Sequence, residues 1–197
     1  MDTITPDLAR KFCELCNWAY ECWTTHKKLF DQNPSPEQTL GKAAYFHDRL
    51  STIIQEYSLL QICKLHDPAV QGKSLSLTID YMIRFADWGL DEENITRLSS
   101  NLAVLYGKIA QARNKLIAHN DLEIIAQEKP LGVFAEGLDD EYFAQLQELV
   151  NCISNKWLDG PYPFNDLAGA DAMEFLTVLD ESQKTSHVLS EATSPTT

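Results

Sequence analysis

The chain has 197 residues, of which 44% are hydrophobic and 23% charged, and its formal net charge is −13. This length is enough for one domain with a substantial apolar core, and the composition excludes disordered and fibrous proteins. Because no apolar run approaches the roughly 20 residues of a membrane-spanning helix, and the N-terminus lacks the basic and apolar stretches of a secretion signal, we expect a soluble, cytoplasmic protein.

Two helices are predicted in the first third of the chain. Apolar and aromatic residues recur at helical spacing from Pro6 to Asp31. Residues 32–36 (Gln-Asn-Pro-Ser-Pro) favour a turn, which ends this helix. A second helix is predicted from about Glu37 to Leu65, with an apolar stripe wide enough to be buried. The stripe consists of Leu40, Ala43, Ala44, Phe46, His47, Leu50, Ile53, Ile54, Tyr57, Leu60 and Gln61.

Two more helices are predicted between residues 75 and 119. The segment His66-Asp67-Pro68 ends the second helix, and the third carries the apolar residues Leu75, Leu77, Ile79, Met82, Ile83 and Phe85. The fourth follows Asp91 and has the clearest pattern in the chain, since its apolar residues are spaced alternately by three and four positions. This seam consists of Ile95, Leu98, Leu102, Leu105, Ile109, Ala112 and Leu116. We expect it to be the central core helix.

The last part of the chain has weaker patterns. A fifth helix is predicted from Asp139, residues 160–163 end it, and a short helix follows from about Ala170 to Leu179. No strand pattern with a period of two residues is convincing, and the connections are short. The sequence therefore predicts an all-α fold, an up-and-down bundle of four to five core helices, in a single domain over residues 1–181. The polar residues 182–197 are predicted to form a mobile tail.

The cysteines and histidines do not predict a metal site. Cys13 and Cys16 form a C-x-x-C pair, but no second pair or H-x-x-x-H follows at a suitable spacing. The odd number of cysteines, scattered over predicted helices, favours small apolar residues in a reducing compartment. His26, His47 and His66 lie on separate helices or helix ends and are interpreted as structural or surface residues. We expect neither a metal nor a cofactor.

The negative charge is concentrated in the last two fifths of the chain. Residues 1–120 have a net charge of −1, whereas residues 121–197 have a net charge of −12. Within the first part, residues 94–120 contain four basic residues and no acidic one, so a local basic patch is predicted in an acidic protein. The four basic residues are Arg97, Lys108, Arg113 and Lys115.

The end of the fourth predicted helix combines polar groups that could act together. Arg113 and His119 are six residues apart, about 120° around a straight helix, so both can flank one cleft. Asn114 and Lys115 lie beside them, between apolar positions of the seam. A simpler interpretation is that the basic residues interact with the helix dipole and that Asn120 caps the helix end. Asp121 is equally consistent with a hydrogen bond to His119 and with capping the loop.

The segment R-N-K-L-I-A-H-N-D over residues 113–121 resembles the R-x(4 to 6)-H signature of the HEPN superfamily. As in that family, a polar residue, Asn114, follows the arginine, and the motif lies at the C-terminal end of a core helix. The ending Ala118-His-Asn-Asp121 and the upstream segments Leu65-His-Asp-Pro68 and Lys73-Ser-Leu-Ser-Leu-Thr78 are similar to the abortive-infection type of HEPN domain. The resemblance covers roughly residues 10–155.

The resemblance implies a helical domain that forms a homodimer with two motifs facing each other and, in active members, a metal-independent endoribonuclease. Catalytic roles are then expected for Arg113, Asn114 and His119, and substrate-binding roles for Lys115 and Asp121. The chemistry suits these residues, because a histidine titrates near neutral pH and an arginine stabilises charge on phosphate oxygens. The implied setting is a toxin of a toxin–antitoxin pair or of an abortive-infection system, with RNA as substrate and a nucleotidyltransferase-like antitoxin as partner.

The alternative function is a catalytically inactive HEPN-like module that binds a partner protein or a nucleotide through the same groove. The net charge of −13 favours this alternative, since backbone phosphates supply most non-specific affinity for RNA. A helical bundle without any site would require an accidental match to the motif.

Overall fold

The computed structural model describes residues 4–112 and 137–192. Within these ranges the secondary structure is almost entirely helical, so the predicted all-α bundle is confirmed. The main helices are α1 (Pro6–His26), α2 (Pro36–Leu40), α3 (Ala44–Leu65), α4 (Ile79–Phe85), α5 (Glu92–Ala112), α6 (Leu138–Trp157) and α7 (Leu167–Ala192). None of the described helices is both long and apolar enough to cross a lipid bilayer.

The first two predicted helices are present with local changes of winding. A π-helix over Lys27–Asp31 continues α1, so the predicted end of the helical run at Asp31 is confirmed. The second predicted helix is interrupted, because a 3-10 turn over Gly41–Ala43 separates α2 from α3. Glycine is a poor helix former in this position, since it loses more backbone freedom on folding than any other residue.

A two-stranded antiparallel hairpin precedes α4 and was not predicted. It consists of β1 (Val70–Gln71) and β2 (Ser74–Leu75), with Gly72 in the left-handed region at φ 63°. Helix α4 therefore begins at Ile79, where the Thr78 hydroxyl accepts a hydrogen bond from the Tyr81 amide at 3.2 Å. The expectation that Leu75 and Leu77 belong to this helix is wrong. Two-residue strands are too short to produce an alternating pattern.

The chain divides into two compact units. The first comprises residues 1–20 and 58–164, and its core is formed by α1, the end of α3, α4, α5 and α6. Helix α5 packs against α6, and the predicted seam is confirmed where its side chains are described, since Ile95, Leu98, Leu102 and Leu105 are buried. Burial of apolar side chains is the main source of stability in such a core.

The second unit comprises residues 21–57 and 165–197. Here α7 packs against α2 and the π-helix, with Ala172 and Leu176 buried. Gly169 allows close approach near the start of α7, because a Cβ atom at this position would lie 2.7 Å from Thr24 Cγ2. Helix α7 is longer than predicted and ends at Ala192, not near Leu179. The single domain over residues 1–181 and the mobility of residues 182–197 stay predictions.

The apolar stripe predicted to be buried along the second helix is only partly buried. Of its eleven residues only Gln61 is buried, whereas five are half-buried and five are exposed, Phe46 and Ile53 each to 61%. The prediction of burial is therefore wrong for most of the stripe. The buried residues of α3 lie at its C-terminal end and are Ser58, Leu59, Gln61, Ile62, Cys63 and Leu65. Periodicity identifies an apolar face, but it does not show what covers that face.

Candidate active site

The predicted motif lies outside the described residues. The five predicted site residues are Arg113, Asn114, Lys115, His119 and Asp121, all within the interval 113–136 between the two described ranges. Their mutual geometry therefore stays a prediction. What the structure describes is the helix that leads to the motif and the elements that hold that helix in place.

Helix α5 is buried on one face as far as Leu105. Leu98 and Leu102 are fully buried and Leu105 nearly so, and α6 packs against this helix. Burying a leucine side chain contributes about 1.5–3 kcal/mol relative to leaving it exposed. Arg113 is the residue that follows α5 directly in the sequence. The motif therefore directly follows, in the sequence, a helix with one buried face.

A cluster of His66, Tyr106 and Tyr142 joins three helices near the last described turns of α5. The imidazole of His66 stacks on the ring of Tyr106, with centroids 4.2 Å apart and planes inclined by 2°. His66 Nε2 also lies 2.9 Å from the hydroxyl of Tyr142, which belongs to α6. The end of α3 is thus tied to both α5 and α6 by one side chain.

Burial determines the charge of this cluster. It lowers the pKa of His66 from its ordinary value of 6.5 to about 4, because the imidazolium form would lose its hydration. Burial also raises the pKa of the Tyr142 phenol well above 10. Both side chains are therefore neutral at neutral pH, and they share a hydrogen bond between uncharged groups. This confirms the interpretation of His66 as structural, whereas neither tyrosine was singled out from the sequence.

The described part of the basic stretch is less positive than predicted. The Arg97 guanidinium donates a hydrogen bond to Asn94 Oδ1 at 2.8 Å and lies 4.0 Å from the Glu148 carboxylate of α6. Both members of this ion pair are exposed, so the pair contributes no more than about 1 kcal/mol to stability. Glu148 nevertheless partly offsets the positive charge of Arg97. The positive charge of the predicted basic patch therefore comes mainly from Lys108, Arg113 and Lys115.

His26 is a second buried histidine, at the end of α1. Its Nε2 lies 3.2 Å from Ser51 Oγ, and its Nδ1 lies 3.5 Å from the Asp31 carboxylate. Burial lowers its pKa from 6.5, although the nearby Asp31 opposes this shift. These contacts join the end of α1 to α3 within the second unit, which is a structural role as predicted.

A surface cleft of about 410 Å³ lies in the second unit. Its lining combines four apolar residues with polar and acidic ones: Phe30, Pro36, Leu40 and Ala44, together with Glu37, Gly41, His47, Asp48 and Ser51. No lysine or arginine is among these residues, so the cleft does not suit a phosphate group. It is therefore not a candidate RNA site.

The described residues do not contain a group of three or more His, Cys, Asp or Glu side chains that could hold a metal ion. Cys13 and Cys16 are buried, and burial raises the pKa of both thiols, that of Cys13 to about 12. This agrees with the interpretation of the C-x-x-C pair as two small apolar residues.

Comparison with known proteins identifies the family. The model of the HEPN AbiU2 family, described as AbiU2, matches residues 7–177, a range that includes the predicted motif and His66. Comparisons with curated proteins and with solved structures gave no significant match. The family match supports a nuclease or defence-related role. Because it covers most of the chain, this protein belongs to the AbiU2 family of HEPN domains, the abortive-infection type that the motif at residues 113–121 resembles.

Proposed function

We propose that this protein is a metal-independent endoribonuclease whose catalytic residues are Arg113 and His119. The observation that carries the proposal is the R-x5-H motif placed directly after a buried core helix, in a chain that belongs to a HEPN family. Catalysis by such a motif requires two side chains held in a fixed position around one phosphate.

The proposed reaction is an internal transesterification of RNA. His119 removes the proton from a ribose 2′-OH, the 2′ oxygen attacks the adjacent phosphorus, and the bond from phosphorus to the 5′ oxygen breaks. The leaving 5′ oxygen takes up a proton, so the products are a 2′,3′-cyclic phosphate and a free 5′-OH. Arg113 stabilises the negative charge that develops on the phosphate oxygens.

Supporting roles are assigned to the neighbouring polar residues. Asn114 orients the phosphate or His119, Lys115 adds a phosphate contact, and Asp121 hydrogen-bonds His119 or closes the loop. Because the protein as a whole is acidic, the affinity for RNA would come from a local site built by the motif. A homodimer would present two copies of this site and double the local positive charge.

The biological setting that fits the family is a toxin of an abortive-infection or toxin–antitoxin system. Such a toxin requires a regulator, and a nucleotidyltransferase-like antitoxin is the proposed partner. A gene for a small nucleotidyltransferase beside the gene for this protein would support this setting. If no such gene is found, the ribonuclease proposal is decided by the enzymatic test alone.

The test is cleavage of total RNA by purified protein in excess EDTA. Wild type is compared with Arg113→Ala and His119→Ala, with Arg10→Ala and His47→Ala as matched controls, since no part of the proposal uses these residues. Circular dichroism establishes that all variants are folded. We expect cleavage by wild type and by both controls, and its loss in the two motif variants. Equal cleavage by all five proteins, or none by wild type, would contradict the proposal.

The charge of the protein favours a second function. The net charge of −13 and the offset charge of Arg97 are unfavourable for a general RNA-binding protein. An inactive HEPN-like module that binds a partner protein or a nucleotide would need no such affinity. In that case wild type would be inert toward RNA in EDTA, and Arg113→Ala would weaken binding of the partner without any catalytic readout.

A further inference from the structure

We infer that Ser51, His26 and Asp31 form a second, nucleophilic site that hydrolyses small carboxylic esters. The site lies wholly within the second unit. Its substrate class is an uncharged or cationic ester with an apolar acyl group. The inference does not depend on the proposed function, because none of these three residues belongs to the proposed ribonuclease site at residues 113–121.

The three side chains stand in the order of a nucleophile, its base and the group that orients the base. Ser51 Oγ lies 3.2 Å from His26 Nε2, and the other ring nitrogen, Nδ1, lies 3.5 Å from the Asp31 carboxylate. When the Nδ1 proton points to Asp31, Nε2 can accept the proton of the Ser51 hydroxyl. Hydrogen bonds of this type are often long in a site without substrate and shorten when substrate binds.

The winding of the chain brings Asp31 beside His26. His26 ends α1, and the π-helix over Lys27–Asp31 continues it, with a hydrogen bond of 2.8 Å from the Gln32 amide to the Lys27 carbonyl. In an α-helix, residues five positions apart point about 140° away from each other. Hydrogen bonds in a π-helix join residues five positions apart, so such residues share one face, and π-helical turns occur frequently at functional sites.

Packing holds the imidazole of His26 in a defined orientation. The residue is 3% exposed, and its ring centroid lies 6.1 Å from that of Trp23 and 5.3 Å from that of Phe30. Burial lowers the pKa of His26 from 6.5, although Asp31 opposes this shift. The imidazole is therefore neutral at neutral pH and can take up a proton from Ser51.

Ser51 also lines the surface cleft of about 410 Å³, a volume within the range of small-molecule sites. A ligand in the cleft can therefore reach Ser51 while His26 stays buried. The apolar lining residues, Phe30, Pro36, Leu40 and Ala44, suit an apolar acyl group. The lining also contains the carboxylates of Glu37 and Asp48 and no lysine or arginine, so the cleft disfavours an anionic ester.

Ester hydrolysis at this site proceeds through an acyl group on Ser51. The Ser51 oxygen attacks the carbonyl carbon while His26 Nε2 takes up the hydroxyl proton, and the bond from this carbon to the alcohol oxygen breaks as the alcohol receives that proton. Water then attacks the acyl group, one of its protons passes through His26 to the Ser51 oxygen, and a carboxylic acid is released. Asp31 stabilises the imidazolium without taking its proton, which makes it a positioning residue.

Labelling with a fluorophosphonate probe tests the nucleophile. An activated serine oxygen forms a bond to the phosphorus of the probe and releases fluoride, and mass spectrometry of peptides locates the label. We expect labelling of wild type at Ser51, none in Ser51→Ala, and labelling slower by at least about a hundredfold in His26→Gln, because a general base is lost. Ser100→Ala is the matched control, since the Ser100 hydroxyl donates to the Thr96 carbonyl at 2.8 Å. Circular dichroism verifies that each variant is folded.

Two substitutions test Asp31, whose side chain is 55% exposed, so both variants should fold. Asp31→Asn should slow labelling more than about tenfold, because the imidazolium loses its carboxylate. Asp31→Glu should restore most of the rate, since the charge is kept. A purely structural role of Asp31 would not separate the two variants in this way.

Two esters test the substrate class. Wild type should hydrolyse p-nitrophenyl butyrate, and Ser51→Ala should not exceed the rate in buffer. The p-nitrophenyl monoester of succinic acid carries a carboxylate on a similar acyl chain, and it should react about tenfold more slowly because Glu37 and Asp48 line the cleft.

The inference is overturned if wild type is not labelled at Ser51 or does not hydrolyse the butyrate. It is also overturned if Ser51 is labelled equally fast in His26→Gln, which would leave His26 with its structural role alone. Equal rates for the two esters would show that the acyl group does not occupy the cleft. If His26→Gln does not fold, Ser51→Ala and the two Asp31 variants decide the result.

Discussion

Acidification is expected to destabilise the first unit through His66. Burial lowers the pKa of this imidazole to about 4, whereas in the unfolded chain the pKa returns to its ordinary value of 6.5. Between these two values the unfolded chain binds a proton that the folded chain does not bind. The stabilisation is therefore complete above pH 6.5 and is lost as the pH falls toward 4.

The size of this effect follows from the two pKa values. Each pKa unit corresponds to about 1.4 kcal/mol, so the full difference amounts to about 3 kcal/mol in the free energy of unfolding. Most of this loss, about 2 kcal/mol, is expected between about pH 7 and about pH 5. That is a large fraction of the 5–15 kcal/mol that is typical of a folded domain, as an order of magnitude.

The assay compares urea unfolding of wild type and His66→Gln at about pH 7 and about pH 5. Glutamine can still hydrogen-bond the Tyr142 hydroxyl but does not titrate. The pH dependence that arises from His26 and the carboxylates is common to both proteins and cancels in the difference. We expect wild type to lose about 2 kcal/mol more than the variant. The reasoning would be refuted if wild type and the variant lost the same free energy of unfolding between the two pH values. It would also be refuted by an NMR titration of the His66 ring with a midpoint near 6.5.

Five further substitutions test the packing within the two units, each measured as a change in the free energy of unfolding. Gly169→Ala should destabilise by about 1–3 kcal/mol because its Cβ would collide with a neighbouring side chain, whereas Gly107→Ala, which meets no atom within 4 Å, should stabilise by about 1 kcal/mol. If both glycine substitutions stabilise the protein, the close approach of Gly169 to Thr24 is absent. Leu102→Ala should cost about 3 kcal/mol and the exposed Val104→Ala less than about 0.5 kcal/mol, and equal costs would contradict the assigned face of α5. Gln147→Ala should cost about 1–3 kcal/mol because its side chain holds two backbone groups of residues 162 and 164, and a neutral effect would show that this loop is held by other contacts.

The sequence predicted the core helices well because their apolar residues recur at helical spacing. In α5 the alternation of three and four residues directly identified the buried face, as Leu98 and Leu102 show. The hairpin at residues 70–75 left no such signal, since its strands contain two residues each. In α3 the helical spacing was recognised but the buried face was not, since Leu59 and Ile62 are buried whereas Phe46 and Ile53 are exposed. Which face is covered depends on tertiary packing that a local pattern does not contain.

The candidate site was predictable only as a motif. Arg113 and His119 are recognised because the family signature is local in sequence, but their geometry stays a prediction. The contact between His66 and Tyr142 joins residues 76 positions apart, so neither periodicity nor spacing could predict it. Whether a histidine is neutral or charged depends on such long-range burial, because desolvation sets its pKa.

The central claim is that Arg113 and His119 carry out metal-independent cleavage of RNA through the 2′-OH. The most direct measurement is mass spectrometry of the fragment ends produced in excess EDTA by wild type and by His119→Ala, from an RNA oligonucleotide and from its 2′-deoxy counterpart. We expect 2′,3′-cyclic phosphate and 5′-OH ends from wild type with the RNA, and no cleavage of the deoxy substrate or by the variant. Fragments with 5′-phosphate ends, cleavage of the deoxy substrate, or equal yields from the variant would contradict it.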